Sequence, residues 1–145
     1  MQQHAWLVYA LLAAACAASI NVLAKIGMKG VNADLATALR SLVQAALVAG
    51  FAFIVGAWNH AGDLRGRPLA VMMILLSGVA GGLSWIFVFR AIQLADISRV
   101  APIDKLSLPL GIVLAVMVLG ERPTALNWLG IALVVAGAYL ATVRA

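Results

Sequence analysis

Long apolar stretches without a charged residue dominate the chain. Four of them contain no Lys, Arg, Asp or Glu: residues 2–24, 41–62, 68–89 and 123–143. Each is about as long as the ~20 residues that a membrane-spanning helix needs. A fifth stretch, residues 106–120, is shorter, about 22 Å of helix against a hydrocarbon thickness of about 30 Å. The pattern predicts five transmembrane helices, over about residues 5–23, 37–58, 69–89, 98–119 and 125–142.

Composition supports the same class of protein. Hydrophobic residues make up 65% of the chain and charged residues 10%, whereas soluble domains average about 45–50% and about 25%. The apolar runs are unbroken rather than alternating, so we predict helices and not a transmembrane barrel. The connections are too short to fold separately, which predicts a single five-helix domain over residues 1–145.

The charge pattern excludes some partners. The net charge is +5, but the basic residues are scattered singly at helix ends, as topology determinants and contacts to anionic headgroups require. We therefore expect the lipid bilayer as a partner and no nucleic acid.

His4 and His60 lie at the N-terminus and in a connection, and Cys16 is the single cysteine. Nothing in the chain indicates an enzyme, a cofactor or a metal site.

The fourth span carries the strongest indication of function. To cross a bilayer its helix must begin near Arg99, which brings Asp104 and Lys105 into or close to the membrane. Ionisable residues at that depth are candidates for a functional site, and Pro102 and Pro109 free backbone carbonyls there. Adjacent helical residues point about 100° apart, so we predict that Asp104 and Lys105 do not pair with each other. Snorkelling of both to the interface is the alternative.

Other helices contribute further polar candidates. Asn21 and Lys25 share a helical face at the end of the first span. Lys25 is either a partner for Asp104 across the bundle or an ordinary lysine at a membrane boundary. Arg40 begins the second span and Arg90 ends the third, and headgroup anchoring is favoured over substrate contact for both.

Aromatic residues at the end of the third span complete the predicted site. Trp85 and Phe89 are four residues apart and share a face, which suits either stacking on a ligand or contact with lipid. The predicted substrate-binding residues are Asn21, Lys25, Arg40, Trp85, Asp104, Lys105 and Pro109.

A smaller group of residues is predicted to have structural roles. The spacing of the glycines predicts close approach of helices, within the chain or in a dimer. Glu121 is predicted to cap the start of the fifth helix. The packing glycines are Gly78, Gly82, Gly130 and Gly137.

Several features in combination carry a family resemblance. Residues 119–137 read Leu-Gly-Glu, a few residues, Trp-x-Gly and then an apolar helix that ends on Ala-Gly. Residues 90–102 form a junction between the third and fourth spans, Pro109 interrupts the fourth, and Arg40 begins the second. Over all five spans the chain resembles the EamA-like domain of the drug/metabolite transporter superfamily.

The resemblance implies a ten-helix transporter made of two inverted five-helix repeats, which moves small metabolites or drug-like compounds by alternating access. This chain supplies one repeat, so the other half is expected from a second copy, in an antiparallel homodimer, or from a paired half-length chain. A parallel dimer is the alternative. Basic residues divide six to three between the two membrane faces, or four to three if Arg40 and Arg99 lie in a cavity. The six-to-three division favours an N-terminus outside and a C-terminus inside, whereas the four-to-three division is the near balance expected of a chain that inserts in both orientations. We expect the membrane to be the cell (inner) membrane.

The end of the chain also resembles the small multidrug resistance proteins, which carry a carboxylate in the first of four helices. Here that helix has Lys25 and no acid before Asp34, which argues against exchange of a cation for a proton. Asp104 is the best candidate for coupling a proton, whereas Lys25 and Lys105 favour anionic or zwitterionic ligands. The alternative functions are a flippase subunit for a lipid-linked metabolite and an accessory scaffold without transport.

Overall fold

The computed structural model describes residues 5–143, and every regular element among them is helical. In chain order these are α1 (Ala5–Gly27), α2 (Ala33–Ile54), a 3₁₀ helix (Ala57–Leu64), α3 (Pro68–Leu94), α4 (Ile97–Asp104), α5 (Ser107–Leu114), a π-helical turn (Ala115–Leu119) and α6 (Ala125–Thr142).

Five helical segments are long and apolar enough to cross a membrane. They are α1, α2, α3, the combined segment Ile97–Leu119 and α6. Most of their large apolar side chains are exposed, as is expected where lipid rather than water is the solvent. The prediction of an all-α membrane protein with five spans is confirmed.

The second and third spans have different bounds from those predicted. The second helix begins at Ala33 because the Asn32 side chain accepts hydrogen bonds from the Asp34 and Leu35 backbone N–H groups, at 2.8 and 3.3 Å. The third continues to Leu94 rather than ending at residue 89. In both cases charged residues belong to the helix, so a search for uncharged runs misplaces the ends.

The contacts divide the chain into two compact units. Residues 1–25 with 94–145 form the terminal unit, and residues 26–93 form the central unit. In the terminal unit, α4 and α5 both pack against α6, whose buried side chains are Ile131 and Ala138. In the central unit, Phe89 and Ile92 are the most buried side chains of α3, at 2% and 1% exposure. The extent of a single domain stays a prediction.

The fourth span, Ile97–Leu119, is interrupted as predicted. Helix α4 ends at Asp104, and α5 begins only after a break of two residues. Pro109 has no N–H to donate to the carbonyl of Lys105, four residues earlier. That carbonyl instead accepts a hydrogen bond from Leu108 N–H at 3.1 Å. The break therefore lies immediately beside the two charged residues of this span.

Candidate functional site

The central unit contains a cation stacked on two aromatic rings. The guanidinium carbon of Arg40, on α2, lies 3.6 Å from the centre of the Trp85 ring and 5.7 Å from that of Phe89, both on α3. The two rings are 5.9 Å apart with an interplanar angle of 78°, an edge-to-face arrangement. We call these three residues the Arg40 cluster. The prediction that Trp85 and Phe89 share one face is confirmed.

One N–H group of the Arg40 guanidinium has no hydrogen-bond acceptor. Its Nη1 atom is the one buried side-chain nitrogen or oxygen in residues 5–143 that lacks a hydrogen-bond partner. Stacking on Trp85 offsets part of the cost of removing the charge from water, but it does not satisfy the N–H donors. Headgroup anchoring, the favoured interpretation of Arg40, stays a prediction. Contact with substrate stays a prediction.

Arg90, on α3, forms an ion pair that was not predicted. Arg90 Nε and Nη2 donate to the two carboxylate oxygens of Asp34, at 2.8 and 2.9 Å, and both side chains are about half exposed. A neighbouring contact runs from Gln93 Nε2 to the Val31 carbonyl, at 3.1 Å. The pair with Asp34 gives Arg90 a partner that the sequence did not predict, and its favoured interpretation as a headgroup anchor stays a prediction.

Sequence reasoning missed Asp34 as a partner. The two residues are 56 positions apart, and helical spacing gives no information about which helices are neighbours. The position of Asp34 in the first turn of α2 did not indicate a partner, because a carboxylate there stabilises a helix without one. The ion pair matters for the site because it neutralises the acid closest along the chain to Arg40.

In the terminal unit, Lys25 caps a helix end. Its Nζ donates to the Ala95 carbonyl at 2.8 Å, immediately after the last residue of α3. A cation there interacts favourably with the exposed carbonyls and the negative end of the helix dipole. Asn21, one turn earlier on the same face, is half-buried like Lys25. An ion pair between Lys25 and Asp104 stays a prediction.

Asp104 and Lys105 pair with each other, so the opposite prediction was wrong. Lys105 Nζ lies 3.2 Å from Asp104 Oδ2, and the side chains are 56% and 28% exposed respectively. The prediction assumed an unbroken helix, but α4 ends between these residues. Pro109, one turn further on, is buried. The pair therefore brings little net charge into the fourth span.

The start of the fifth helix corrects another prediction. The N-cap of α6 is Thr124, whose hydroxyl accepts a hydrogen bond from Asn127 N–H while the Asn127 side chain accepts one from Thr124 N–H. Glu121 therefore does not cap this helix. It is exposed and lines a surface pocket of about 410 Å³ together with Arg122, Pro123 and residues of α5 and α6.

The four glycines predicted to pack are all exposed. A Cβ atom placed on any of them would meet no atom within 4 Å. The described residues therefore leave these faces open, and a role in a dimer stays a prediction. The four are Gly78, Gly82, Gly130 and Gly137.

Among the residues described, no group of three or more His, Cys, Asp or Glu is placed to hold a metal ion. The predicted site residues divide between the units: Arg40 and Trp85 lie in the central unit, and Asn21, Lys25, Asp104, Lys105 and Pro109 lie in the terminal unit.

Five apolar helices, an interrupted span and charged groups within the spans define a multi-pass α-helical membrane protein. The model of the EamA-like transporter family matches residues 4–143, and the chain belongs to that family. A relative from Sinorhizobium sp, named "Uncharacterized transporter in cobO 3'region", is 41% identical over 140 residues, which are 97% of this chain and 98% of that protein. No solved structure matches the chain.

Proposed function

We propose that the chain is a secondary transporter of small metabolites or drug-like compounds, which works by alternating access as a homodimer in the cell (inner) membrane. Family membership and a relative named a transporter support transport rather than enzymatic activity. That relative is matched over 98% of its own length, so a protein of the same size carries that name. The five spans are the observation on which the proposal depends.

The open glycine faces support a second copy as the missing half. Gly130 and Gly137 of α6 are one heptad apart and exposed, and no atom of residues 5–143 lies within 4 Å of a Cβ placed on either. Small residues let membrane helices approach closely, which is how such helices associate without a hydrophobic driving force. The basic residues divide four to three between the membrane faces if Arg40 and Arg99 lie in a cavity, and that division permits an antiparallel pair. A paired half-length chain would use the same surface.

The fourth span is the proposed moving element. Its backbone is interrupted beside the Asp104–Lys105 pair, and irregular backbone at membrane depth requires cover by protein or by a water-filled cavity. We assign Asp104 as the candidate for proton coupling. Asn21, Lys25 and Pro109, in the same unit, are the further candidates for lining the substrate path.

Flux into proteoliposomes tests the function. Purified protein is reconstituted, and counterflow of labelled amino acids, carboxylates and sugar phosphates is compared with that of protein-free vesicles. We expect flux of at least one compound, which falls in a Gly137→Leu variant that blocks the α6 face. Gly50→Leu, at an exposed glycine of α2, is the matched control. Folded protein without flux of any compound would favour the accessory scaffold.

Topology is tested by labelling single cysteines with an impermeant maleimide in a Cys16→Ala background. Val31→Cys and Gly62→Cys lie in successive connections and leave the charge balance unchanged. If both orientations are present, each position is labelled from outside in part of the molecules. Complete labelling of one position and none of the other would exclude the antiparallel homodimer.

A further inference from the structure

The Arg40 cluster contains a cation whose charge no residue of its own unit neutralises. The guanidinium lies against Trp85, and its Nη1 is buried without a hydrogen-bond acceptor. Arg40 as a whole is half-buried, and a partly buried cation without a counter-charge is costly within a membrane. Such positions are rare unless they face a partner or a ligand. The position of Arg40 in the apolar span of α2 therefore requires an explanation beyond packing.

The acids of the central unit are already committed elsewhere. Residues 26–93 contain two carboxylates, Asp34 and Asp63. Asp34 accepts two hydrogen bonds from Arg90, and Asp63 lies 3.6 Å from the His60 ring in the 3₁₀ helix. The Arg90 pair is bidentate, which occupies both carboxylate oxygens of Asp34. An anion for Arg40 must therefore come from outside this unit.

We propose that the Arg40 cluster binds an oxyanion, the carboxylate or phosphate group of a small molecule or of a lipid headgroup. The guanidinium edge presents paired N–H donors that match two oxygens of such a group. Trp85 lies 3.6 Å from the guanidinium carbon and stabilises the cation by cation–π contact, so the N–H groups remain for the ligand once the site opens. Phe89, almost fully buried, fixes the Trp85 ring from its side.

The oxyanion is the substrate, a step that rests on the proposed function. Since Nη1 is shielded from solvent in this conformation, an oxyanion reaches it only when the Arg40 side chain or the rings around it move. The conformational change of an alternating-access cycle would supply that opening. The site therefore opens in one state and is occluded in another, as a transport site requires.

Fluorescence of Trp85 reports on this site. In a variant that keeps Trp85 and carries Trp6→Phe, Trp58→Phe and Trp128→Phe, emission is recorded in zwitterionic nanodiscs while sodium phosphate or sodium acetate replaces sodium chloride at constant ionic strength and pH. We expect a saturable change with at least one of the two anions. Arg40→Leu is expected to weaken the response about tenfold or more, because a charge-assisted hydrogen bond is lost.

Two further variants keep the test decisive. Arg65→Leu removes one arginine from an exposed position of the same unit and is expected to leave the response unchanged. If Arg40→Leu does not fold, Arg40→Lys retains the charge without the paired donors and is expected to bind more weakly than the parent. An equal response in the parent and in the Arg40 variants would overturn the proposal.

Nanodiscs that contain phosphatidylglycerol distinguish the two sources of the oxyanion. If a lipid headgroup occupies the site, these discs shift Trp85 emission and suppress the response to added anions. If a free anion is the ligand, the response is the same in both lipids. No change with phosphate, acetate or phosphatidylglycerol refutes the site even where flux is observed. Binding without flux would instead contradict the proposed function.

Discussion

A double-mutant cycle on Arg40 and Trp85 measures whether the stacked cation stabilises the central unit. The cycle compares the parent, Arg40→Leu, Trp85→Leu and the double variant, so that losses of packing at each position cancel. The 3.6 Å separation is direct contact. Arg40 is half-buried, between the exposed and desolvated limits, so we expect a coupling of about 1 kcal/mol from a range of about 0.5–2 kcal/mol.

The geometry also predicts an order among the aromatic neighbours. Phe89 lies 5.7 Å from the guanidinium, close to the limit of about 6 Å for cation–π attraction, so its coupling to Arg40 should be smaller than that of Trp85. Phe87 is 63% exposed and has no recorded contact with Arg40. It serves as the matched control, with an expected coupling of zero within error.

The free energies of unfolding are measured in detergent micelles by reversible denaturation followed with far-ultraviolet circular dichroism, since the variants change tryptophan fluorescence. Each variant is also checked for an unchanged dependence on denaturant, because a changed slope would mean that the unfolded state had changed. A coupling for Trp85 that equals that of Phe87 would refute the claim that the guanidinium–indole contact is stabilising.

Three further predictions concern helix ends and the interrupted span. Thr124→Ala should lower the unfolding free energy by about 1 kcal/mol through loss of the capping box, whereas Thr124→Ser should retain it, both by chemical denaturation. Gly120→Ala should lower the unfolding free energy by about 1 kcal/mol, because φ is +70° there. Gly81→Ala, in open space on α3, should not lower it. Equal changes of the unfolding free energy in the two variants would contradict this prediction. Lys105→Met should lower the thermal unfolding midpoint more than the double variant Asp104→Asn/Lys105→Met does, because the single substitution leaves the Asp104 carboxylate unpaired. A lower midpoint for the double variant would show that the pair is not the stabilising contact.

The predicted ends of the helices agree with the structure in some spans and not in others. The fifth span, predicted over residues 125–142, coincides with α6, because uncharged residues fill it from its capping threonine to its end. The second span was displaced by four residues. Its first turns contain Asp34 and Arg40, which a search for uncharged runs excludes; in the folded chain Asp34 pairs with Arg90 and Arg40 lies against an aromatic ring.

The sequence predicted which residues belong to the candidate site, but not which of them contact each other. The spacing of Trp85 and Phe89 placed them on one face, yet nothing in the sequence indicated that Arg40 stacks there. Asp104 and Lys105 were correctly placed in the interrupted span. Their pairing was predicted wrongly because an adjacent pair on a continuous helix diverges, and the break that brings them together depends on local backbone bonding around Pro109.

Residue order alone shows that the helices of this protein are stable in lipid, because the length and apolarity of each run are properties of consecutive residues. Which charges meet depends instead on the folded chain. Helical periodicity specifies the face on which a side chain lies, but not which helix lies opposite. The commitment of Asp34 to Arg90, and the resulting isolation of Arg40 against Trp85, follow from contacts between residues far apart along the chain.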